Sequence, residues 1–357
     1  MIGARIPTRY RAALARAVGR PQRLRAARTF RSGAIAIAAE YRRVLDVRLA
    51  HLVRVDQPLV LITQMQRSGG TLLLRLLDGH PACHVVPHQL RGIDEAFKRR
   101  FAGPEQAWLA LHDPKLGDRF VNGQRQKKRD VLRDEDVFPF VLPPGLQRAI
   151  YDACVDGAGR PSDRELVDCY FTSYFNAWLD NRNLRSGPKR WVVGFEPAVA
   201  RSVPRRRRLR ELYPDGRVIA IIRDPWTWYA SARRWEPRWR DRQRAVEDWC
   251  SLAEATLAWK ADADDSLRVV SFESLLSHTE ETMKRLATWL EIETVPGLLE
   301  PTFNSLAIRA NTSFGDIGAR ISAKPLSRAE TDLDAEDTVY IDAHARSLYE
   351  RLLARAA

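Results

Sequence analysis

The stretch LVLITQMQRSGGTLLLRLLDG, Leu59 to Gly79, decides the fold. Its opening residues, Leu59 to Thr63, form an apolar, β-branched run with the length and composition of a buried parallel strand. A turn from Gln64 to Gly70 follows, then a leucine-rich segment that reads as a helix and is stopped by Gly79. Strand, glycine turn and helix in this order build an anion site. The two glycines let backbone N–H groups converge, and the helix N-terminus adds partial positive charge. Arg67, Ser68 and Thr71 add donors suited to phosphate-like oxygens. A phosphorylated or sulfated ligand is the first expectation. The loop departs from the GxxxxGK[ST] pattern of nucleotide triphosphatases, because Gln64 opens it and the basic residue precedes the glycines.

Working outward, a short β-prone run, Cys83 to Val86, follows between prolines. Three further apolar runs, Trp191 to Phe195, Val218 to Ile222 and Arg268 to Phe272, read as buried strands. Helical stretches separate them, which predicts an α/β fold: a three-layer sandwich with a central parallel sheet and helices on both faces. Ligands of such sheets sit at the carboxyl ends of the strands. That singles out Arg67, Glu196, Arg223 and Glu273.

The segment RVIAIIRDPWTWYASARRW, residues 217–235, repeats the logic of the first stretch. Val218 to Ile222 is the strand, Arg223 stands at its end, Asp224 is an N-cap and Pro225 a first helical residue. Ser231 falls about two helical turns into the following helix. It meets Arg223 on one ligand only if that helix packs back over the strand end.

QRSGGT after a strand, followed some 150 residues later by strand-RDP-x5-S-x-R, resembles the sulfotransferases that use 3′-phosphoadenosine-5′-phosphosulfate, PAPS. DGHP (78–81), VVSFESLLSHTEETMKRLATWLEI (269–292) and PTFNSLAIRANTSF (301–314) extend the resemblance over most of Leu59 to Phe314. It implies a P-loop NTPase-like sulfotransferase fold with helical additions. It also implies transfer of a sulfuryl group from PAPS, without a metal, to a hydroxyl or amine of a small-molecule or glycan acceptor, a carbohydrate or glycolipid included. Carried over residue by residue, Arg67 takes the basic position at the sulfuryl or bridging oxygen. Ser68, Gly69, Gly70 and Thr71 cradle the phosphosulfate, and Arg223 and Ser231 hold the 3′-phosphate. Relatives more often show Gly-Thr-Thr where this chain has Gly69-Gly70-Thr71. Many carry Glu or His at the end of the second strand as base, where this chain reads Pro87-His88-Gln89. Gln cannot take a proton at neutral pH, so the base falls to His88, with His84, His112, Glu196 and Glu273 in reserve.

The chain has 357 residues and a net charge of +13, which suits a polyanionic ligand or an anionic surface. Residues 1–39 hold nine arginines and no Asp or Glu. Residues 1–50 therefore read as a basic N-terminal arm or helical extension, either a solvated arm or an amphipathic helix in peripheral contact with anionic membrane, and the segment also fits a transit peptide. Residues 51–357 read as one domain in which 91–190 are a helical, substrate-side elaboration. Cys83, Cys154, Cys169 and Cys250 are scattered without a CxxC pair, and the N-terminus lacks the apolar core of a secretory signal, so reduced thiols and a cytoplasmic setting are expected.

His80, His84 and His88 recur every four residues, but Pro81 and Pro87 forbid the regular helix that would make them a metal face. The arginines at 205–208 read as a solvated helix face, and QRQKKR at 124–129 as a solvated loop. No helix-turn-helix, zinc-finger or RNA-binding signature accompanies them, and no nucleic-acid partner is expected. Ser277 and Glu280 read as a capping box before a helix whose core face is Met283, Leu286, Ala287 and Leu290. Two other readings stay open: a phosphate-loop kinase, and a nucleic-acid or membrane-binding protein with a degenerate nucleotide site.

Overall fold

Strand β1 (Leu59–Gln64) is the middle of a five-stranded sheet completed by β2 (Cys83–Gln89), β3 (Trp191–Phe195), β4 (Arg217–Ile222) and β5 (Leu267–Ser271). The order is β2-β3-β1-β4-β5 and every neighbouring pair is parallel. A central strand has both faces covered, which is why all six residues of β1 are buried and why alternation is absent from its sequence. The computed structural model describes residues 20–113, 140–157, 159–197, 199–263, 265–308, 321–327 and 332–356.

One face of the sheet is covered by α2 (Gly70–Leu77) and by α10 (Thr279–Leu290). Leu73, Leu74 and Leu77 of the first, with Met283, Leu286 and Leu290 of the second, bury against Val60, Ile62 and Val193. Each such side chain contributes about 1.5–3 kcal/mol by leaving water. The other face meets α8 (Arg242–Asp262) and α11 (Ala335–Leu353), whose Trp249, Leu252, Ala253 and Leu352 close on Thr63, Ala220 and Ile222. The molecule is thus the expected three-layer α/β sandwich.

Helices α4 (Pro144–Asp156) and α5 (Asp163–Ala177) pack along each other between β2 and β3 in sequence. Helix α5 starts with a complete capping box of Ser162 and Glu165, and its Thr172 and Asn176 accept the backbone N–H groups of Val55 and Val53, both at 3.0 Å. The elaboration is therefore tied to the segment that feeds β1. It also corrects the expectation of four reduced thiols: Cys154 and Cys169 form a disulfide between the two helices, their Cα atoms 5.6 Å apart, while Cys83 and Cys250 are free. Fifteen residues of separation give no motif, and only the packed helix pair brings the sulfurs together.

Two further expectations change. Strand β2 runs on through Pro87 to Gln89, with a register shift against β3 beyond Val85, which an edge strand tolerates. Ser277 ends a short helix α9 (Phe272–Ser277), so α10 starts from His278 without a side-chain cap. The 124–129 basic run and residues 309–314 lie outside the described residues.

The chain divides at residue 52. In the N-terminal unit α1 (Arg20–Ala50) is one 31-residue helix that exposes Ile35, Ile37, Tyr41 and Val47. No helix among the described residues is long and apolar enough to cross a membrane.

Candidate active site

The loop from β1 to α2 is held open by its own backbone. Ser68 N–H bonds Met65 O at 3.2 Å, and Gly69, with φ of 95°, caps the helix in the left-handed region. A Cβ at residue 69 would overlap the Phe272 ring, so only glycine fits. Arg67 also has a positive φ, 76°, a conformation that costs a non-glycine residue on the order of 1 kcal/mol and is found where a side chain must be aimed.

Helix α7 (Pro225–Trp235), after β4, packs back over this loop. Trp228 Nε1 donates to Gln66 O at 2.8 Å, and Arg223 Nη1 donates to Arg67 O at 2.8 Å. Arg67 Nε in turn reaches Ser231 Oγ at 3.4 Å. Arg67, Arg223 and Ser231, 164 positions apart at the extremes, thus meet at one place. Asp224 accepts Thr227 N–H at 2.7 Å as the N-cap expected from RDP, and Arg223 Nε bonds Thr227 Oγ1 at 3.1 Å. Phe272 lies under both motifs, against Gly69 and 4.6 Å from the Arg223 guanidinium. Ser68 Oγ is fully buried in the loop and has no hydrogen-bond partner among the described residues. The loop therefore brings together a helix N-terminus, two guanidinium groups and two buried hydroxyls, an arrangement of the chemical type that suits an anion.

Around the carboxyl ends of β2 and β3 stand the groups able to move a proton. His88 donates from Nδ1 to Gln89 O at 2.7 Å, which leaves Nε2 to accept from Tyr174 O–H at 2.8 Å. The rings of Tyr174 and Phe140 enclose it, and burial pushes its pKa down to about 4. Glu196, directly after β3, accepts from Gln89 Nε2 at 3.1 Å and lies 3.6 Å from Arg205 Nη2. Burial, followed by the nearby negative charge of Asp94, raises its pKa to about 7. Glu273 is engaged as a brace: it accepts Asp224 N–H at 3.1 Å, Ser271 Oγ at 2.9 Å and Tyr349 O–H at 3.1 Å. His84 packs at a tilt against Phe175, with burial pushing its pKa to about 3, and His112 stacks on Trp108. No group of three or more potential metal ligands occurs among the described residues.

The sulfotransferase family profile matches residues 58–296, about two thirds of the chain. The chain belongs to the sulfotransferase family. Among solved structures it is similar to the sulfotransferase domain from the curacin biosynthetic pathway, with 16% identity over 82% of this chain and 98% of that one and a TM-score of 0.49. The sulfotransferase domain of the Synechococcus PCC 7002 olefin synthase gives 15% identity, coverage of 81% and 94%, and a TM-score of 0.48. A sulfotransferase from Alicyclobacillus acidocaldarius gives 12%, 84% and 95%, and 0.41. No curated protein matches the chain.

In this sulfotransferase the arginines at 205–208 are not the uniformly solvated face expected of them. Arg205 pairs with Asp94 at 3.4 Å as well as with Glu196, Arg206 lies 5.7 Å over the Trp259 ring, and Arg208 pairs with Asp163 and Glu211. Much of the run's charge is engaged in internal ion pairs. Trp228 and Phe272 lock the two motifs together, and no local sequence pattern marks that role. Trp235, 43% exposed and 6.0 Å from the Arg67 guanidinium, is an exposed aromatic beside the loop.

Proposed function

We propose that this sulfotransferase moves the sulfuryl group of PAPS to a hydroxyl or amine of a small-molecule or glycan acceptor. The observation that carries the reading is the convergence of Arg67, Arg223 and Ser231 on the loop that starts α2. Two cationic residues at one anion seat suit a nucleotide with phosphate groups at both its 5′ and 3′ positions. In the reaction the acceptor oxygen or nitrogen attacks sulfur in line, the bond from sulfur to the bridging oxygen breaks, and that oxygen leaves with negative charge. In this reading the helix N-terminus and the Arg67 guanidinium stabilise this charge as it develops. The acceptor's proton passes to Glu196, whose pKa near 7 is matched to neutral pH. His88, with its acceptor nitrogen already taken by Tyr174 and a pKa near 4, is the weaker base. The exposed face of Trp235 beside Arg67 favours a ring-bearing acceptor such as a sugar.

The donor reading is tested by thermal unfolding. Adenosine 3′,5′-bisphosphate at a hundredfold excess over its Kd is expected to stabilise the protein by about 2.7 kcal/mol, while ATP with magnesium leaves the Tm unchanged. The reverse result would favour the phosphate-loop kinase.

Within that site Arg223→Ala is expected to weaken binding of the bisphosphate, and Ser231→Ala to do so less, because only the first removes charge-assisted hydrogen bonds. Titrations with an analogue lacking the 3′-phosphate should change little. Equal losses for both nucleotides would show that these residues do not hold the 3′-phosphate.

Contact with an anionic membrane is proposed for α1, which carries eight arginines against Glu40 and Asp46 and exposes Ile35, Ile37, Tyr41 and Val47. Removing residues 1–52 is expected to abolish sedimentation with phosphatidylserine vesicles at low salt. Sedimentation that survives the truncation would place the contact elsewhere.

A further inference from the structure

Gln64 is the last residue of β1 and is buried, 7% exposed, inside the loop it opens. Its Oε1 accepts the N–H of Gly70, the first residue of α2. That N–H is one of the few at a helix start with no partner inside the helix, and helix-start N–H groups of this kind are the ones that bind anions. Gly70 is shaped for the contact: a Cβ there would lie 2.8 Å from Gln64 Cδ and 2.7 Å from the Phe195 ring. Meanwhile the buried Ser68 Oγ, on the same loop, has no partner among the described residues. One donor of the seat is taken by a neutral oxygen of the chain itself, and another is idle.

We propose that the Gln64 carboxamide is a built-in stand-in for a phosphate oxygen, and that the nucleotide must displace it from Gly70 to bind. The inference rests on the reading of this loop as the donor site. A carboxamide suits the task because its oxygen is a good acceptor but carries no full charge. It satisfies a buried N–H in the free enzyme and yields to a phosphate, whose hydrogen bonds are charge-assisted. Displacement lowers the affinity for donor and bisphosphate product alike, since both place a 5′-phosphate in the seat. Gln64 thereby loosens the product as well as the substrate, which favours turnover where release is slow.

The experiment compares wild type, Gln64→Ala and Gln64→Glu by calorimetric titration with adenosine 3′,5′-bisphosphate. Removing the competitor in the Ala variant is expected to tighten binding by about three- to tenfold, the worth of one neutral hydrogen bond. The Glu variant, with a charged occupant in the seat, is expected to bind at least about tenfold more weakly at pH 8, since one charge-assisted hydrogen bond must be given up. Unchanged or weaker binding in the Ala variant would overturn the proposal, because the carboxamide would then be idle or a contact of the bound nucleotide. A second readout is independent of any ligand: in glycine-labelled free protein, hydrogen exchange at the Gly70 amide should be faster in Gln64→Ala than in wild type. Equal protection in the two proteins would overturn the stand-in whatever the donor is. If no variant binds the bisphosphate, wild type included, the donor reading fails and the exchange result alone decides the role of Gln64.

Discussion

Arg67→Ala is expected to cut turnover by about 10²- to 10³-fold while leaving the protein folded, because under the proposed mechanism it removes a donor that stabilises the charge of the leaving oxygen. The fold tolerates the change for specific reasons. The alanine keeps a Cβ in the same left-handed conformation, so the backbone strain at φ 76° is neither added nor relieved. The carbonyl of residue 67, which receives Arg223 Nη1, remains in place. Among the losses in the resting protein are a long hydrogen bond to Ser231 Oγ, at 3.4 Å, and a cation–π contact with Trp235. Lysine should recover part of the rate, since it restores a point charge but not the planar fork. Steady-state kinetics with thermal unfolding of each variant checks this, and an Ala variant with full turnover would remove Arg67 from the mechanism.

The anion loop and the RDP turn are legible in the amino-acid sequence because their logic is local. A buried strand, glycines that permit converging N–H groups, an Asp that caps and a Pro that starts a helix all lie within a few residues of one another. The same holds for the strand runs at 191–195 and 218–222, whose lack of polar alternation follows from burial on both faces. What the sequence hides depends on distant parts. The Cys154–Cys169 pair needs two helices side by side, the lock of Trp228 on Gln66 O needs α7 folded back over the loop, and the ion pairs of Arg205 with Asp94 and of Arg208 with Asp163 need neighbours more than 40 residues away. Gln64 sits between the two cases. Its position at the strand end departs visibly from the phosphate-loop pattern, and a polar side chain six residues before a helix-start glycine is a local signal for the contact it makes.

The choice of base shows the same limit most sharply, because sequence ranks His88 first on its ordinary pKa while environment reverses the order. An unperturbed imidazole is half-charged near pH 6.5 and an unperturbed glutamate near 4.3, so histidine is the natural neutral-pH base. Here burial lowers His88 to about 4 and raises Glu196 to about 7. The free lone pair of His88 is also committed to Tyr174 O–H, whereas Glu196 is held by Gln89 and faced by Arg205. Glu196→Gln is therefore expected to lower kcat by roughly 10²- to 10⁴-fold with bisphosphate affinity retained, the usual worth of a positioned base. The sign of the pH effect follows from the carboxylate being the active form. In the wild type kcat/KM should rise with pH through about 7 and level above it. That acidic limb should vanish in Glu196→Gln and persist in His88→Gln, whose defect should be confined to packing around Tyr174. A limb that survives in Glu196→Gln and disappears in His88→Gln would return the role to the histidine.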